Sequence, residues 1–381
     1  MNKNNAVIVG MSGGVDSSVA ALLLKQQGFQ VTGVFMKNWE EDDDPANNYC
    51  SATQDLYDAQ QVCDKLKINL LKVNFSSEYW DKVFRVFLNE YQNGRTPNPD
   101  ILCNKEIKFK IFLDYAKQLN SPLIATGHYA RLAQKNHHTL LLTAIDQQKD
   151  QSYFLHALTE NQLKNCLFPL GNLTKTEIRK TAKDAGFVNH NKKDSTGICF
   201  VGERKFKNFL AKYLLPKPGK IVNEHLEEVG NHEGVIYYTI GQRKGLNIGG
   251  LQKYHDLHEP WYVINKDLNN NILIVAKGKN NPKLYSTQLI ASNVHWINPD
   301  LSNNQVTFTC QAKIRYRQPS QLCVVTAINS KANNNSELLV TFKEPQRAVT
   351  PGQYVVFYDY HRCLVGARCL GGAIIQQAIY P

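Results

Sequence analysis

The sequence predicts an α/β domain with a doubly wound parallel sheet, followed by a small β-rich domain and a C-terminal β-barrel. Two observations carry this prediction. Apolar runs alternate with amphipathic helical runs through the first two hundred residues. From Ile221 onward that helical periodicity disappears, and short β runs recur at regular spacing. We expect the domain limits at residues 1–205, 206–280 and 281–381.

The first domain begins with four strands and four helices, which alternate along most of its length. Strands are expected at 6–10, 30–36, 70–75 and 122–126, and helices at 19–27, 54–66, 77–91 and 105–118. Gly28 is expected to end the first helix, because glycine accepts the left-handed conformation common at helix C-termini. Ligands bind beyond the carboxyl ends of strands in such sheets. Three loops occupy such ends: residues 10–17, the residues from Met36 onward, and Gly127-His128-Tyr129.

The remaining elements change character along the chain. One strand is expected at 140–144, and helices are expected at 151–158, 161–167, 175–185 and 206–215. The later β runs lie at 235–239, 261–265, 272–276, 288–295, 306–316, 322–328, 338–342, 354–358 and 373–379. Short strands at this spacing are typical of small β domains and barrels.

The composition is that of an ordinary soluble protein. Of 381 residues, 43% are hydrophobic and 20% are charged. No apolar run approaches the roughly 18 residues that a membrane span needs. The first five residues, Met-Asn-Lys-Asn-Asn, pass directly into a strand without the apolar core of a secretory signal. We therefore expect a cytoplasmic protein with no membrane partner.

The positive charge lies mostly in the second half of the chain. Residues 1–200 hold 23 Lys and Arg against 21 Asp and Glu, whereas residues 201–381 hold 21 against 12. This asymmetry suggests that the basic C-terminal half binds a polyanion and that the nearly neutral N-terminal half acts on it chemically. A solvated basic surface without a partner is the equally open alternative.

The nine cysteines are expected to be thiols. Their number is odd, and no two of them form a C-x-x-C pair, which disfavours a zinc ribbon or a thioredoxin-like site. A cysteine without a partner is by default a small buried apolar residue. Any reactive thiol therefore needs its own argument.

Sequence context singles out Cys103 first. It falls at or just before an expected helix start, with two lysines downstream, and such surroundings stabilise a thiolate. Asp100 lies three residues upstream and suits a general acid or base. Pro97 and Pro99 indicate a rigid exposed loop. A buried core cysteine after a proline turn is the alternative.

The second notable thiol is Cys199, in the polar loop 194–202 beside two lysines and an arginine. Two thiols about a hundred residues apart meet only if the fold brings their Cα atoms within about 7 Å. Taken alone, either cysteine is more often structural than catalytic.

A glycine-rich turn between the first strand and the first helix is the clearest ligand-binding candidate. It consists of Gly10, Met11, Ser12, Gly13, Gly14, Val15, Asp16 and Ser17. Backbone amides and a helix N-terminus in such a turn bind anions. It lacks the Walker lysine and the G-x-G-x-x-G spacing, and it resembles the pyrophosphate-binding loop of ATP pyrophosphatases. A strand–helix turn without a ligand is the alternative.

Further motifs make a family resemblance specific. The motifs S-G-G-V-D-S, R-T-P-N-P-D-I-L-C-N, A-T-G-H-Y, K-D-Q-S-Y-F-L, S-T-G-I-C-F and I-G-Q-R-K-G-L occur in that order. Together they resemble the tRNA-specific 2-thiouridylases, bacterial enzymes that thiolate the wobble uridine of certain tRNAs. The resemblance runs from about residue 6 to the C-terminus and implies an adenine nucleotide alpha hydrolase-like first domain.

For ATP, the resemblance implies adenylation of the C2 oxygen of uracil, which is otherwise a poor leaving group. Residues 10–17 would cradle the phosphates, while Met36 and Gly127 would border the adenosine. Mg²⁺ would neutralise the charge of the leaving pyrophosphate. We assign no residue as a metal ligand.

For sulfur, the resemblance implies two cysteine roles. Cys199 would carry a persulfide received from a sulfur-relay protein or a cysteine desulfurase. Cys103 would be the nucleophile that attacks this persulfide and releases its sulfur, leaving a transient Cys103–Cys199 disulfide. Both thiols should then be accessible.

For tRNA, the resemblance implies contacts in three segments. The target base would meet Asn98, Pro99 and Asp100, the nearby tRNA would meet Lys149, Asp150 and Gln151, and the anticodon region would be held by Arg315 and Tyr316 in a basic strand at 313–317. The wobble base must leave the anticodon stack to be reached. Without the resemblance, Arg315 and Tyr316 would be an ordinary exposed strand pair.

One departure and two alternatives stay open. Residues 360–369 resemble a short insertion, and Ala373 replaces a family glycine, which affects only the final hairpin. The same phosphate loop also serves ligases that adenylate a carbonyl oxygen and add ammonia, without a thiol pair. A non-catalytic RNA-binding protein that uses the basic β half is the remaining alternative.

Overall fold

The computed structural model describes residues 5–40, 51–194, 206–249, 259–299, 307–329, 337–359 and 366–380. The strands are β1 (Ala6–Gly10), β2 (Gln30–Lys37), β3 (Leu70–Asn74), β4 (Leu123–Ala125), β5 (Ala130–Lys135), β6 (His138–Thr143), β7 (Cys166–Leu167), β8 (Gly219–Asn223), β9 (Glu228–His232), β10 (Trp261–Asp267), β11 (Ile272–Lys277), β12 (Tyr285–Trp296), β13 (Thr307–Lys313), β14 (Gln321–Asn329), β15 (Glu337–Arg347), β16 (Tyr354–Tyr358) and β17 (Arg368–Ile379).

The helices are α1 (Val15–Gln26), α2 (Ser51–Leu66), α3 (Ser76–Tyr79), α4 (Arg85–Gln92), α5 (Pro99–Leu102), α6 (Phe112–Gln118), α7 (Ser152–Leu155), α8 (Glu160–Lys164), α9 (Lys175–Asp184) and α10 (Phe206–Ala211). π-Helical turns at Trp80–Phe84 and Cys103–Ile111 join α3 to α4 and α5 to α6. No helix within these ranges is both long and apolar enough to cross a membrane.

A parallel sheet in the order β3-β2-β1-β4-β7 forms the centre of the first domain. Alternate residues of a strand point to opposite faces. Val7 and Val9 of β1 therefore pack in one core with α1, α2 and α9, while Ile8 packs in another with α3 to α6. Helices thus cover both faces, and the prediction of a doubly wound α/β domain is confirmed.

Two helix starts differ from the prediction. The first helix begins at Val15, not at residue 19, so Asp16 and Ser17 form its first turn. The helix expected from residue 105 begins at Pro99, because proline suits the first position of a helix. The expectation that Cys103 lies at or before a helix start is therefore wrong, since the thiol lies one turn inside the helix.

Six strands close into the C-terminal barrel, in the order β12-β15-β14-β13-β16-β17, with β17 pairing back to β12. The predicted barrel is confirmed. The strand expected at 306–316 ends at Lys313, so Arg315 and Tyr316 lie in the turn that follows. Of the insertion at 360–369, residues 360–365 lie outside the described residues, and Arg368 opens β17, which pairs with β16.

The first domain also contributes two strands to this β-sheet. The hairpin β5–β6 pairs with β17 through Leu142 opposite Arg368 and Leu141 opposite Cys369. The strand predicted at 140–144 is therefore real, but it belongs to the barrel sheet. This pairing joins the first and last domains through the backbone.

The middle of the chain forms a four-stranded sheet in the order β10-β11-β8-β9. The strand predicted at 235–239 is wrong, because Val235–Tyr237 is a 3₁₀ turn. Both β8 and β9 were missed, since Glu228–His232 lacks the alternation that marks a strand. The helices predicted at 151–158, 161–167 and 206–215 are shorter, ending at Leu155, Lys164 and Ala211.

A buried carboxylate strengthens the junction between hairpin and barrel. Glu160 accepts hydrogen bonds from His138 Nδ1 at 2.9 Å, the Thr139 amide at 3.1 Å and Asn298 Nδ2 at 2.7 Å. The Lys164 ammonium lies 2.9 Å away. Burial raises the pKa of Glu160, but these donors more than compensate and lower its pKa to about 2.

We predict that Glu160→Gln lowers the free energy of unfolding by about 2 kcal/mol at neutral pH, since hydrogen bonds to a charged group are lost. The folded-state pKa lies below the ordinary value of 4.5. The stabilisation is therefore complete above about pH 4.5 and disappears as the pH falls toward 2. Urea unfolding across this pH range tests it. The exposed Asp184→Asn is the control, and an equal loss in both variants would refute the assignment.

Candidate functional site

The glycine-rich turn is closed by its own serines. Ser17 Oγ donates to the Gly14 carbonyl at 3.1 Å and accepts from the Ser12 amide at 3.2 Å. The hydroxyls of Ser12 and Ser17 lie 3.2 Å apart. Ser18 Oγ also donates to the Gly14 carbonyl at 2.9 Å. These bonds hold the turn at the N-terminus of α1, where the helix dipole favours an anion.

Glycine is required at two positions, Gly13 within this turn and Gly127, which packs against it. Gly13 has φ of +73°, and a Cβ there would lie 2.2 Å from the Asp55 carbonyl oxygen. A Cβ on Gly127 would lie 2.8 Å from the backbone of Asp16 and Ser17. Gly127, which follows β4, therefore packs directly on the first turn of α1. Met36, which was also predicted to border the adenosine, lies beside Gly10 of the turn. Its side chain is 3.3 Å from an ideal Cβ on Gly10.

An ion-pair network surrounds Asp16. Lys175 Nζ donates to both Asp16 oxygens at 2.8 and 2.9 Å, and the Tyr129 hydroxyl donates at 2.8 Å. Lys175 also contacts Asp194 at 2.6 Å. Asp194 is further bound by Lys149 at 2.7 Å. Burial raises the pKa of Asp194, but Lys149 and Lys175 lower it to about 2.

Sequence reasoning missed Lys175 and Asp194. The only local signal at Lys175 was the helix start, where Thr174 and Glu177 form a capping box. Nothing in that pattern indicates a partner 159 residues away. The nearby Asn189 was missed too: its amide donates to the Gly13 carbonyl at 2.9 Å.

Cys103 is buried, with 1% of its surface exposed. Pro97 and Pro99 are buried as well, so the predicted rigid exposed loop is wrong, as is the expected accessibility of this thiol. The neighbouring Asn104 donates its amide to the Phe154 carbonyl at 3.2 Å. Burial raises the pKa of Asp100, and the charge of Lys108 offsets this only in part.

The segment before Cys103 is held by both other domains. The Thr96 amide donates to the Pro351 carbonyl at 2.9 Å, and Gln353 Nε2 donates to the Thr96 carbonyl at 2.7 Å. On the other side, Thr96 Oγ1 lies 3.2 Å from Thr239 Oγ1 of the central domain. The side-chain oxygen of Asn98 is buried without a hydrogen-bond partner among the described residues.

Two of the predicted tRNA-contact segments meet at the barrel. The Tyr316 hydroxyl donates to the Lys149 carbonyl at 3.4 Å, and its ring lies 4.4 Å from that of Phe154. Gln151 and Tyr129 exchange two hydrogen bonds, at 2.8 and 2.9 Å. Tyr316 is thus packed against the first domain and is not in an exposed strand.

Two predicted contact residues are engaged within the protein. The Asp150 carboxylate is buried and accepts from the amides of Ala144 and Ser152 at 3.0 and 3.2 Å. Arg315 Nη2 donates to the carbonyls of Ile240 at 3.3 Å and Ala348 at 2.9 Å, linking the central domain to the barrel. Cys199 lies outside the described residues, so its predicted meeting with Cys103 stays a prediction.

Comparison with known proteins accounts for these motifs together. Three family models match the chain: "tRNA methyl transferase HUP domain" over residues 5–203, "tRNA methyl transferase PRC-barrel domain" over 207–277, and "Aminomethyltransferase beta-barrel domain" over 286–375. The tRNA-specific 2-thiouridylase MnmA of Hahella chejuensis is 56% identical over 376 residues, which cover 99% of this chain and 98% of that protein. The protein of the same name from Escherichia coli is 54% identical over 374 residues, covering 98% and 97%.

The chain belongs to the tRNA-specific 2-thiouridylase family. The family resemblance read from the six motifs is therefore confirmed.

Two solved structures show a weak resemblance to the chain. A 4-thiouridine synthetase–RNA complex with bound ATP is 16% identical, with a TM-score of 0.34, over 55% of this chain and 49% of that one. The NMN synthetase from Francisella tularensis is 19% identical, with a TM-score of 0.31, over 50% and 66%. These values are too low to bear on function.

We predict that Gly127→Ala destabilises the protein by about 2 kcal/mol, because its methyl group must push the β4 loop away from α1. Thermal unfolding measures the loss. Gly249→Ala is the matched control, since a Cβ there meets nothing within 4 Å. Equal melting temperatures for wild type and Gly127→Ala would show that the two segments are not in close contact.

Proposed function

We propose that this chain is an ATP-dependent tRNA 2-thiouridylase, a sulfurtransferase. It adenylates the C2 oxygen of the wobble uridine and replaces that oxygen with sulfur, giving 2-thiouridine, AMP and pyrophosphate. The observation that carries the proposal is identity of 54–56% with 2-thiouridylases over nearly the whole chain. The phosphate-binding turn and the Cys103 segment, which both lie in the first domain, support it chemically.

The turn at residues 10–17 holds the triphosphate of ATP in this proposal. Its fit rests on Gly13 and Gly127, which let the backbone of the turn pack closely against Asp55 and the β4 loop, and on the N-terminus of α1. Gly127 and Met36 border the adenosine. The described residues contain no cluster of three or more His, Cys, Asp or Glu side chains. We therefore propose that Mg²⁺ enters with the phosphates of the nucleotide.

Asp100 and Asn98 are proposed to bind the uracil ring and to exchange its N3 proton. Adenylation of O2 requires loss of the N3 proton, and thiolation restores it. A carboxyl whose pKa is raised by burial is a stronger base than an ordinary carboxylate and is suited to accept and return that proton. The unpartnered Asn98 oxygen is an acceptor for the uracil N3–H.

The sulfur step uses both cysteines. The Cys103 thiolate attacks the inner sulfur of a Cys199 persulfide, forming a Cys103–Cys199 disulfide and expelling hydrosulfide. Hydrosulfide attacks C2, and AMP leaves with the former uracil oxygen. A thiol reductant then restores both cysteines. The burial of Cys103 means that tRNA binding must be accompanied by a rearrangement that exposes it.

The tRNA is proposed to bind where the three domains meet. Lys149 and Tyr316 already touch there, and Thr96 is held by the other two domains beside the target-base residues. Lys149, Gln151 and Tyr316 are the proposed tRNA contacts. Asp150 and Arg315, whose side chains are bound within the protein, are proposed to contact the tRNA through their backbone or after their side chains rearrange. A sulfur-relay protein or cysteine desulfurase supplies the persulfide, and we propose a cytoplasmic setting.

We predict that Cys103→Ser and Cys199→Ser each abolish formation of 2-thiouridine, because a hydroxyl can neither form a persulfide nor exchange with one. Mass analysis of nucleosides from tRNA incubated with protein, ATP and a persulfide donor measures this. Cys166→Ser is the matched control, since that thiol is buried in the same hydrophobic core but has no proposed role in sulfur transfer.

The same samples separate the alternatives. With ammonia added, an amide-forming ligase would keep its activity in both serine variants. A non-catalytic RNA-binding protein would produce no tRNA-dependent AMP from ATP. Retention of thiolation by Cys103→Ser would overturn the proposed role of that residue.

A further inference from the structure

The turn 240–246 of the central domain, in the motif I-G-Q-R-K-G-L, has no role in the function described so far. Its conformation is fixed. Gly241 and Gly245 have φ of +82° and +79°, so the chain reverses twice within five residues. The Gln242 side chain accepts from the Thr239 amide at 3.0 Å and donates to the Lys244 carbonyl at 2.9 Å. The turn is therefore rigid at the positions that flank Arg243.

The turn is also anchored to its own domain and to the domains on either side. The Gly241 amide donates to the Val263 carbonyl at 2.8 Å, and the Val263 amide donates to the Gln242 carbonyl at 3.0 Å. Arg315 of the barrel donates to the Ile240 carbonyl at 3.3 Å. On the catalytic side, Thr239 meets Thr96, two residues before the proposed target-base contact Asn98. The turn thus borders the proposed tRNA-binding junction.

Four positively charged residues lie in or next to the turn 240–246. Arg243 and Lys244 are exposed, and neither makes an ion pair with any described residue. Arg315 and Arg347 lie next to the same turn, 3.7 and 3.8 Å from an ideal Cβ on Gly241. Burial, and then the charge of Arg347, lower the pKa of Arg315. A rigid turn that carries two exposed cations and lies beside two further arginines is suited to a polyanion.

We propose that Arg243 and Lys244 bind backbone phosphates of the tRNA anticodon arm, so that the central domain forms the third wall of the tRNA site. The proposal rests on the function proposed above. The turn contacts no base. It contributes to the affinity for tRNA and to the position of the tRNA on the protein, while the segment 98–100 selects the uridine. Because Thr239 touches Thr96, the phosphates concerned lie close to the target nucleotide, not in the distant arms of the tRNA.

The test is binding of an unmodified tRNA transcript, and separately of its anticodon stem–loop, to Arg243→Ala/Lys244→Ala over a range of salt. We expect an affinity loss of about tenfold or more for both RNAs. We also expect the slope of log affinity against log salt to fall by about 1 to 2, as for the loss of one or two phosphate contacts. Thiolation at saturating tRNA should keep its kcat, while KM rises.

Two controls keep the result interpretable. Lys180→Ala/Lys183→Ala removes two exposed cations from α9 and should change neither affinity nor slope. Arg243→Lys/Lys244→Arg keeps the charges and should bind as the wild type does. Wild-type affinity and slope in the alanine variant would overturn the proposal, and so would a loss seen with whole tRNA only. Absence of thiolation in the wild type would instead contradict the proposed function and leave the binding result intact.

Discussion

The pairing of Arg368 and Cys369 with Leu142 and Leu141 is the interaction on which the arrangement of this molecule depends. Strand β17 closes the barrel against β12 and, at its other end, continues into the hairpin of the first domain. A backbone ladder permits little sliding, because a shift by one residue turns every side chain to the wrong face. The barrel is therefore fixed relative to the domain that carries the glycine-rich turn.

The candidate site follows from that fixed relation. The short helix α7 lies between the helix that contains Cys103 and the barrel: the Phe154 carbonyl binds Asn104, and the Tyr153 hydroxyl donates to the Tyr354 carbonyl at 3.0 Å. Thr96 is held between the barrel and the central domain. The contacts of Tyr153 and Thr96 cross domain boundaries. Cys103, the proposed nucleophile, is buried close to the segment that both other domains hold.

Shielding has a chemical purpose in this account. A persulfide and its attacking thiol react with many partners, so a buried Cys103 limits reaction to the moment when RNA opens the site. The same logic applies to Asp100, whose raised pKa depends on exclusion of water. An enzyme that activates a carbonyl oxygen gains from this arrangement, because water would hydrolyse the activated base.

The sequence predicted those features that depend on local chemistry. The strand Ala6–Gly10, the helix stop at Gly28 and the glycine-rich turn between strand and helix rest on short-range rules for apolar runs and glycine, and the structure has all three. These short-range rules do not predict contacts between residues that are distant in sequence. Lys175 was seen only as part of a helix start, although its ammonium binds Asp16.

Errors near the site share a cause. The two prolines before Cys103 were read as a loop, but Pro99 opens the helix, so the thiol is buried within it. Arg315 and Tyr316 were read as a strand pair, but tertiary contacts hold them in a turn. In both cases packing against another domain decided the conformation, and no local pattern encodes that domain.

The central claim is that the turn at residues 10–17 activates the C2 oxygen of the wobble uridine through ATP. The most direct measurement uses tRNA that carries heavy oxygen at that position, incubated with the protein, ATP and a sulfur donor. The account predicts that the heavy oxygen is recovered in the phosphate of AMP, in step with the gain of sulfur in tRNA. Recovery of the heavy oxygen in water or pyrophosphate, or its retention in the tRNA, would contradict it.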